Sequence, residues 1–214
     1  MDPELARMRR EYDDAANAFE GAADAVDPMA LFEAWFADVR DSGAVEPNAM
    51  VVSTLGADGP SSRTVLLKGV DERGFSFFTN HDSRKGHELA NDPRCSLLFG
   101  WYAWHRQVRV EGVAHVLPRA EVEAYFAQRP RGAQLGAWAS RQSSVVDDRG
   151  ELESAFAAAE ARFEGQEIAP PPTWGGYVVE PRVIEFWHGR ANRLHDRAVF
   201  TRSASGWTRE RLAP

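Results

Sequence analysis

Arg193-Leu194-His195-Asp196-Arg197, with Trp187 shortly before it, puts two guanidinium groups, an imidazole and a carboxylate within five positions. In an extended segment, residues 193, 195 and 197 point to one face and Leu194 and Asp196 to the other. Arg193, His195 and Arg197 then form one cationic, hydrogen-bonding row. Such a row suits a phosphorylated or anionic aromatic ligand, because Arg makes bidentate contacts to phosphate and stacks on ring faces. A solvated strand face is the competing reading of this segment taken alone.

Other segments carry similar chemistry. Arg63-Thr64-Val65-Leu66-Leu67-Lys68 sets Arg63 and Lys68 at the two ends of an apolar run. Their odd separation puts them on opposite faces unless the strand bulges or ends there. Ser83-Arg84-Lys85 opens a helix, where free N–H groups and the positive dipole end favour an anion, and Thr79 adds a hydroxyl upstream. Gln107, next to Arg106, can both donate and accept. Arg141-Gln142-Ser143-Ser144 supplies an amide and two hydroxyls. Tyr125, Arg129 and Arg131 form another phosphate-competent cluster at a helix end. Caps and surface arginines explain any one of these. Together they imply two anion-binding sets, for a phosphorylated cofactor and a phosphorylated substrate.

Those residues need elements to carry them. Asp27-Pro28 reads as an N-cap followed by proline at the first helical position, and Leu31, Phe32, Trp35, Phe36 and Val39 recur at helical spacing, ending before Gly43. The runs Ala49–Leu55, Arg63–Val70 and Phe75–Thr79, bounded by turn residues, read as consecutive strands. Ser83 caps a helix over Arg84–Asn91. Cys95–Tyr102 and Gln107–Leu117 are long strands, with Gly112 a candidate bulge. Glu121–Phe126, stopping at Pro130, then Gln134–Ser140 and Arg149–Phe163, form a helical insert over residues 119–165, and Pro170-Pro171-Pro172 is a stiff connector. Tyr177–Val179, Val183–Trp187, Ala198–Arg202 and Trp207–Leu212 close the chain as strands. The expected fold is mainly β with flanking helices (α+β), a small closed barrel. It forms one domain over 28–214 behind a mobile polar arm over 1–27.

Composition narrows the function. A net charge of -7 argues against nucleic acid or an acidic membrane as partner, so a ligand phosphate must be drawn in by a local basic pocket. The one cysteine, Cys95, lies in an apolar run and reads as a buried core thiol. The charged start lacks a secretory segment, and no apolar run is long enough to span a bilayer, so a cytoplasmic protein is expected. His81, His87, His105, His115, His188 and His195 show no metal-ligand spacing, and no metal is expected. Absence of GxGxxG, GxxxxGK[ST] and GxSxG removes support for dinucleotide-binding, P-loop and hydrolase readings.

Arg63–Lys68, Ser83-Arg84-Lys85, Gln134-Leu135-Gly136-Ala137-Trp138, Gln142-Ser143-Ser144, Trp174-Gly175-Gly176, Ile184-Glu185-Phe186-Trp187 and Arg193–Arg197, in this order, resemble the pyridoxine/pyridoxamine 5'-phosphate oxidase family of FMN-binding split barrels. The resemblance spans almost the whole chain, from Arg9-Arg10-Glu11-Tyr12 onward. It implies that FMN is held by Arg63, Thr64, Val65, Leu66, Leu67, Lys68, Phe78, Thr79, Arg84, Lys85 and Gln107 of one subunit. Gln142, Ser143, Trp187 and Arg197 would come from the other subunit of a homodimer. The substrate would meet Lys68, Tyr125, Arg129, Ala133, Arg193, Leu194 and His195, under a cover formed by Arg9, Arg10, Glu11 and Tyr12. Ala133 stands where the family often has a serine, and Phe78 where a tyrosine is common. The implied reaction oxidises pyridoxine 5'-phosphate or pyridoxamine 5'-phosphate to pyridoxal 5'-phosphate, in vitamin B6 biosynthesis or salvage. Hydride passes to the flavin, and O2 reoxidises it with release of H2O2. Arg193 over the pyridine face and His195 at the ring hydroxyl would be the catalytic residues. Two alternatives remain: a related flavin or deazaflavin oxidoreductase acting on another aromatic, such as a phenazine precursor, and a non-catalytic FMN or pyridoxal phosphate carrier.

Overall fold

The computed structural model describes residues 4, 7, 8, 12 and 25–214. The arm expected over 1–27, including Arg9, Arg10 and Glu11, lies outside the described residues except at positions 4, 7, 8, 12 and 25–27. Among the described residues the order is α1 (Pro28–Asp41), β1 (Ala49–Gly56), β2 (Gly59–Leu66), β3 (Gly69–Asp71), β4 (Gly74–Asn80), α2 (Arg84–Asn91), β5 (Arg94–Trp101), β6 (Arg106–Val116), α3 (Arg119–Ala127), α4 (Arg131–Ala139), α5 (Arg149–Arg162), β7 (Trp174–His188), β8 (Asp196–Ser203) and β9 (Gly206–Arg211). The strands neighbour one another in the order β2-β1-β5-β6-β7-β4-β3, with β8 on β7 and β9 on β8. This is the mainly β architecture with flanking helices expected above.

Contacts group the chain into two units, one of Met1–Val51, Ser96–Glu111 and Pro181–Pro214, the other of Val52–Cys95 and Gly112–Glu180. In the first unit Asp27 caps α1 by accepting from the Met29 N–H at 2.9 Å, with Pro28 at the first position. Such a cap stabilises a helix by about 1 kcal/mol. Leu31, Phe32, Trp35 and Val39 then share one buried face. Phe32 packs on Phe99 at 4.9 Å between ring centres, and Trp35 on Phe186 at 5.2 Å. β7, β8 and β9 pair antiparallel, with Trp187 opposite Arg197.

In the second unit β4 pairs with β3 and with the first half of β7. Gly175 and Gly176 lie opposite Thr79 and Phe78. A Cβ at Gly175 would come within 2.3 Å of the His81 ring, and one at Gly176 within 2.7 Å of the Phe78 ring. These glycines let two aromatic side chains lie against β7. Helices α3, α4 and α5 close over Leu117, Val122, Phe126, Leu135, Phe163 and Trp174. Cys95 is buried, and burial pushes its thiol up to about 12, as expected of a core cysteine.

Three expectations change. The run 63–70 is two strands, because β2 ends at Leu66 and the chain leaves the ladder at Leu67-Lys68 before β3. The segments at 177–179 and 183–187 are one strand of 15 residues that carries Pro181 through. Gly112 lies inside a continuous β6, where a Cβ would meet the Glu180 carbonyl oxygen at 2.3 Å; close backbone approach explains this glycine.

Candidate functional site

A cavity of about 920 Å3 opens in the second unit. Because β2 ends before Lys68, strand alternation no longer separates Arg63 from Lys68, and both line it, with Thr64, Val65 and Leu66 between them. Leu67 is buried and does not line it. Phe78 and Thr79 enter from β4, Arg84 and Lys85 from the start of α2, Tyr125 from α3, Arg129 from the turn after it, and Ala133 from α4. Gln142 and Ser143 come from the turn beyond α4, where Ser143 has a φ of 74°. The same chain therefore supplies Gln142 and Ser143 to its own cavity.

The cations are fixed from behind. Ser83 caps α2 by accepting from the Gly86 N–H. Lys85 is buried, and its ammonium donates to Thr79 Oγ1 at 3.0 Å, Ser83 Oγ at 3.3 Å and Gln142 Oε1 at 2.9 Å. Burial, then the neighbouring Arg63 charge, lowers the Lys85 pKa to about 8; Glu88 pulls the other way. Arg63 donates through Nη2 to Ser61 Oγ and to Glu88 Oε2, and through Nη1 to Thr54 Oγ1. Arg84 Nε donates to Glu88 Oε1 at 2.8 Å. Burial alone would raise the Glu88 carboxyl; hydrogen bonds from Thr54, Ser61, Arg84 and Arg63 outweigh it and hold it at about 2.

A second set lies in the same cavity. Phe78, Tyr125 and Trp174 stack, with Phe78 and Tyr125 at 4.0 Å and Phe78 and Trp174 at 5.5 Å. The Lys68 ammonium stands 6.0 Å from the Tyr125 ring centre, and the Arg129 guanidinium 4.8 Å from that of Trp174. Arg129 Nη1 is buried without a hydrogen-bond partner, and burial lowers its pKa. A buried donor of this kind calls for an acceptor, which an anionic ligand supplies. Arg131 does not join the set: it donates to the Gln166 and Phe163 carbonyls instead. A site with three cations at one place, two more beside stacked aromatics and an orphaned donor fits a phosphorylated flavin with room beside it.

The remaining expected residues lie in the first unit. The row expected at 193, 195 and 197 does not form. Residues 191–193 make a 3-10 turn, Asn192 and Arg193 have φ of 54° and 63°, and β8 starts only at Asp196. Period-two alternation needs extended backbone, and left-handed residues break it. Arg193 and Leu194 are exposed. His195 Nδ1 accepts the Arg190 N–H at 3.1 Å, so the neutral ring carries its proton on Nε2. Its pKa is lowered by burial and then by Arg193. Its ring lies 4.7 Å from that of Trp187 and 5.7 Å from that of Tyr12, which also meets His105 at 4.4 Å. Arg197 donates to the buried Glu185 at 2.8 Å and to the Ala213 carbonyl. Gln107 lies at the start of β6.

Glu88, Thr54, Ser61, Gln128 and Trp174 were not singled out as site residues. Glu88 had a visible signal, four residues after Arg84 on one helix face. Thr54 and Ser61 had none, since only the packing of α2 against β1 and β2 brings them to Glu88. Among the described residues no group of His, Cys, Asp and Glu could hold a metal ion, and no helix is long and apolar enough to cross a membrane.

Two family models match: pyridoxamine 5'-phosphate oxidase over residues 19–163, and the pyridoxine 5'-phosphate oxidase C-terminal dimerisation region over 174–214. A pyridoxine/pyridoxamine 5'-phosphate oxidase of Nocardioides is 58% identical over 99% of this chain and 98% of its own length. One from Rubrobacter xylanophilus is 54% identical over 99% and 97%. Among solved structures, PhzG from Burkholderia lata in complex with tetrahydrophenazine-1-carboxylic acid has a TM-score of 0.87 at 30% identity, covering 94% of this chain and 99% of that one.

Proposed function

The chain belongs to the pyridoxamine 5'-phosphate oxidase family, a flavin-dependent oxidoreductase with FMN as its cofactor, and from that premise we propose that it oxidises pyridoxine 5'-phosphate and pyridoxamine 5'-phosphate to pyridoxal 5'-phosphate with O2 as acceptor. One observation carries the reading: a single cavity holds two separate cation sets, Arg63, Arg84 and Lys85 in one and Lys68 and Arg129 in the other. That arrangement suits two phosphorylated molecules bound side by side, one on each set. Bound FMN supplies the two-electron acceptor.

The chain's own residues hold and orient. Arg63, Arg84 and Lys85 take the cofactor phosphate, with Thr79 and Gln142 holding the Lys85 ammonium in place. Lys68, Tyr125 and Arg129 take the substrate phosphate, which limits the substrate ring to one pose. Ala133 leaves that phosphate without the hydroxyl that the family often places there. Arg193 covers the substrate ring and His195 donates from Nε2 to its hydroxyl. The match of residues 174–214 to a dimerisation region supports a homodimer in which Trp187 and Arg197 reach the flavin of the other copy. The likeness to PhzG favours a second reading, an unphosphorylated polycyclic substrate. Absorbance of the purified protein before and after anaerobic pyridoxine 5'-phosphate, followed by oxygen uptake, tests the two. Flavin bleaching and then H2O2 formation is expected. An oxidised flavin that stays unchanged with both vitamers sinks the vitamer assignment.

A further inference from the structure

The most heavily bonded carboxylate near the cavity does not line it. Glu88 is 7% exposed and stands behind the cations, and one carboxylate takes four donors. Oε2 accepts from Thr54 at 2.5 Å, Ser61 at 2.7 Å and Arg63 at 3.0 Å, and Oε1 from Arg84 at 2.8 Å. The chain makes room for it: a Cβ at Gly56 would fall 2.9 Å from Glu88 Oε1.

We propose that Glu88 is a positioning residue for the anion site, orienting the Arg63 and Arg84 guanidiniums and offsetting one of the three positive charges gathered there. The proposal rests on the reading that Arg63, Arg84 and Lys85 receive the FMN phosphate. Arg84 gives its Nε–H to Glu88, which leaves the Nη1/Nη2 edge of its fork for a bidentate phosphate contact. Three cations with one carboxylate leave two net positive charges, which match a phosphate dianion. Without the carboxylate the Arg63 and Lys85 charges face each other uncompensated, and each disfavours the other. The charged groups facing Lys85 are Arg63 from β2 and Glu88 from its own helix, and only Glu88 favours its proton. Thr79 from β4, Ser83 and Gln142 meet it as neutral oxygens.

Coulomb attraction alone predicts the opposite effect, since a nearby carboxylate repels phosphate. The variant therefore decides. Flavin-free full-length protein is titrated with FMN and with riboflavin, which has the same ring system and no phosphate, by quenching of flavin fluorescence. The ratio of the two Kd values isolates the phosphate. Glu88→Gln keeps shape and an acceptor oxygen but removes the charge. It is expected to lower the preference for FMN at least about tenfold, one charge-assisted bond or more. The Kd for riboflavin should stay near wild type, and the alkaline decline of FMN preference should move to lower pH. Arg84→Ala is the control on the site reading and should lower the ratio as well. A lowered ratio in Arg84→Ala with an unchanged or raised ratio in Glu88→Gln overturns the proposal and leaves the site reading standing. An unchanged ratio in both removes the site reading and the proposal together. Equal weakening of both flavins by Glu88→Gln assigns it a structural role alone and overturns the proposal.

Discussion

The cation cluster around α2 and the segment 187–197 contain the same residue types and reach their geometry by different routes. At α2 the backbone is regular, a serine caps the helix, and every cation leans on a fixed acceptor: Lys85 on Thr79 and Gln142, Arg63 and Arg84 on Glu88. At 187–197 the backbone turns through two left-handed residues, and its arginines divide. Arg190 and Arg197 pair with Asp196 and Glu185, while Arg193 is exposed on the turn. Cations held by a buried acceptor are ordered before a ligand arrives; an exposed cation on a turn is ordered by the ligand. The first arrangement suits tight retention of a cofactor, and the second suits a substrate that must leave as product.

The largest effect should come from breaking the ordered cluster. Each lost charge-assisted phosphate bond costs roughly 1.5–3 kcal/mol, about one to two decades in affinity. Replacing both Arg84 and Lys85 by Ala should therefore yield largely flavin-free protein, read from absorbance after purification. Full flavin occupancy in that variant would place the phosphate elsewhere.

The divided arginines come next. Arg193→Leu should keep its flavin and lose at least about a hundredfold in kcat/KM for pyridoxine 5'-phosphate, equivalent to roughly 2.7 kcal/mol. Arg197→Leu should lose flavin instead. Refolding it together with an Arg63→Ala chain should regenerate some intact sites in mixed dimers. Flavin loss from Arg193→Leu, or no activity in the mixture above either variant alone, removes the distinction drawn between 193 and 197.

The smallest effect is one of pH. Lys85 has its pKa lowered from the usual lysine range to about 8. Below that value it is charged and attracts the phosphate. Above it, FMN binding must also place a proton on Lys85, so affinity falls as pH rises through about 8, by up to tenfold per pH unit. Riboflavin affinity should stay flat, and Lys85→Arg should flatten the FMN curve because Arg stays charged. A wild-type FMN curve that is level from about pH 7 to 9.5 would show that Lys85 does not meet the phosphate.

Some of this was legible from residue order. Asp27-Pro28, the spacing of Leu31, Phe32, Trp35 and Val39, and Ser83 before Arg84 are local signals, and the helices formed where those signals stood; the apolar runs marked strands but not their bounds, since β2 runs from Gly59 to Leu66 and β7 continues through Pro181. The anion-binding character of Arg63, Arg84, Lys85 and Arg129 was likewise readable, since it is a property of side-chain type and helix ends. The row at 193, 195 and 197 was misread because alternation presumes an extended backbone; Asn192 carried a weak turn signal, since Asn tolerates the left-handed region, and Arg193 carried none.

The chain's order of residues, by itself, determined where helices begin, which strand faces are apolar and which residues can meet phosphate, because those follow from neighbours a few positions apart. Only the tertiary structure decided that Gln142 reaches Lys85 across 57 positions, that Glu88 gathers Thr54, Ser61 and Arg63 around one carboxylate, and that Arg131 turns to backbone carbonyls instead of the cavity. Those choices depend on which strands pair and where a strand stops. No local propensity encodes a hydrogen bond between residues that only sheet register and loop closure bring together.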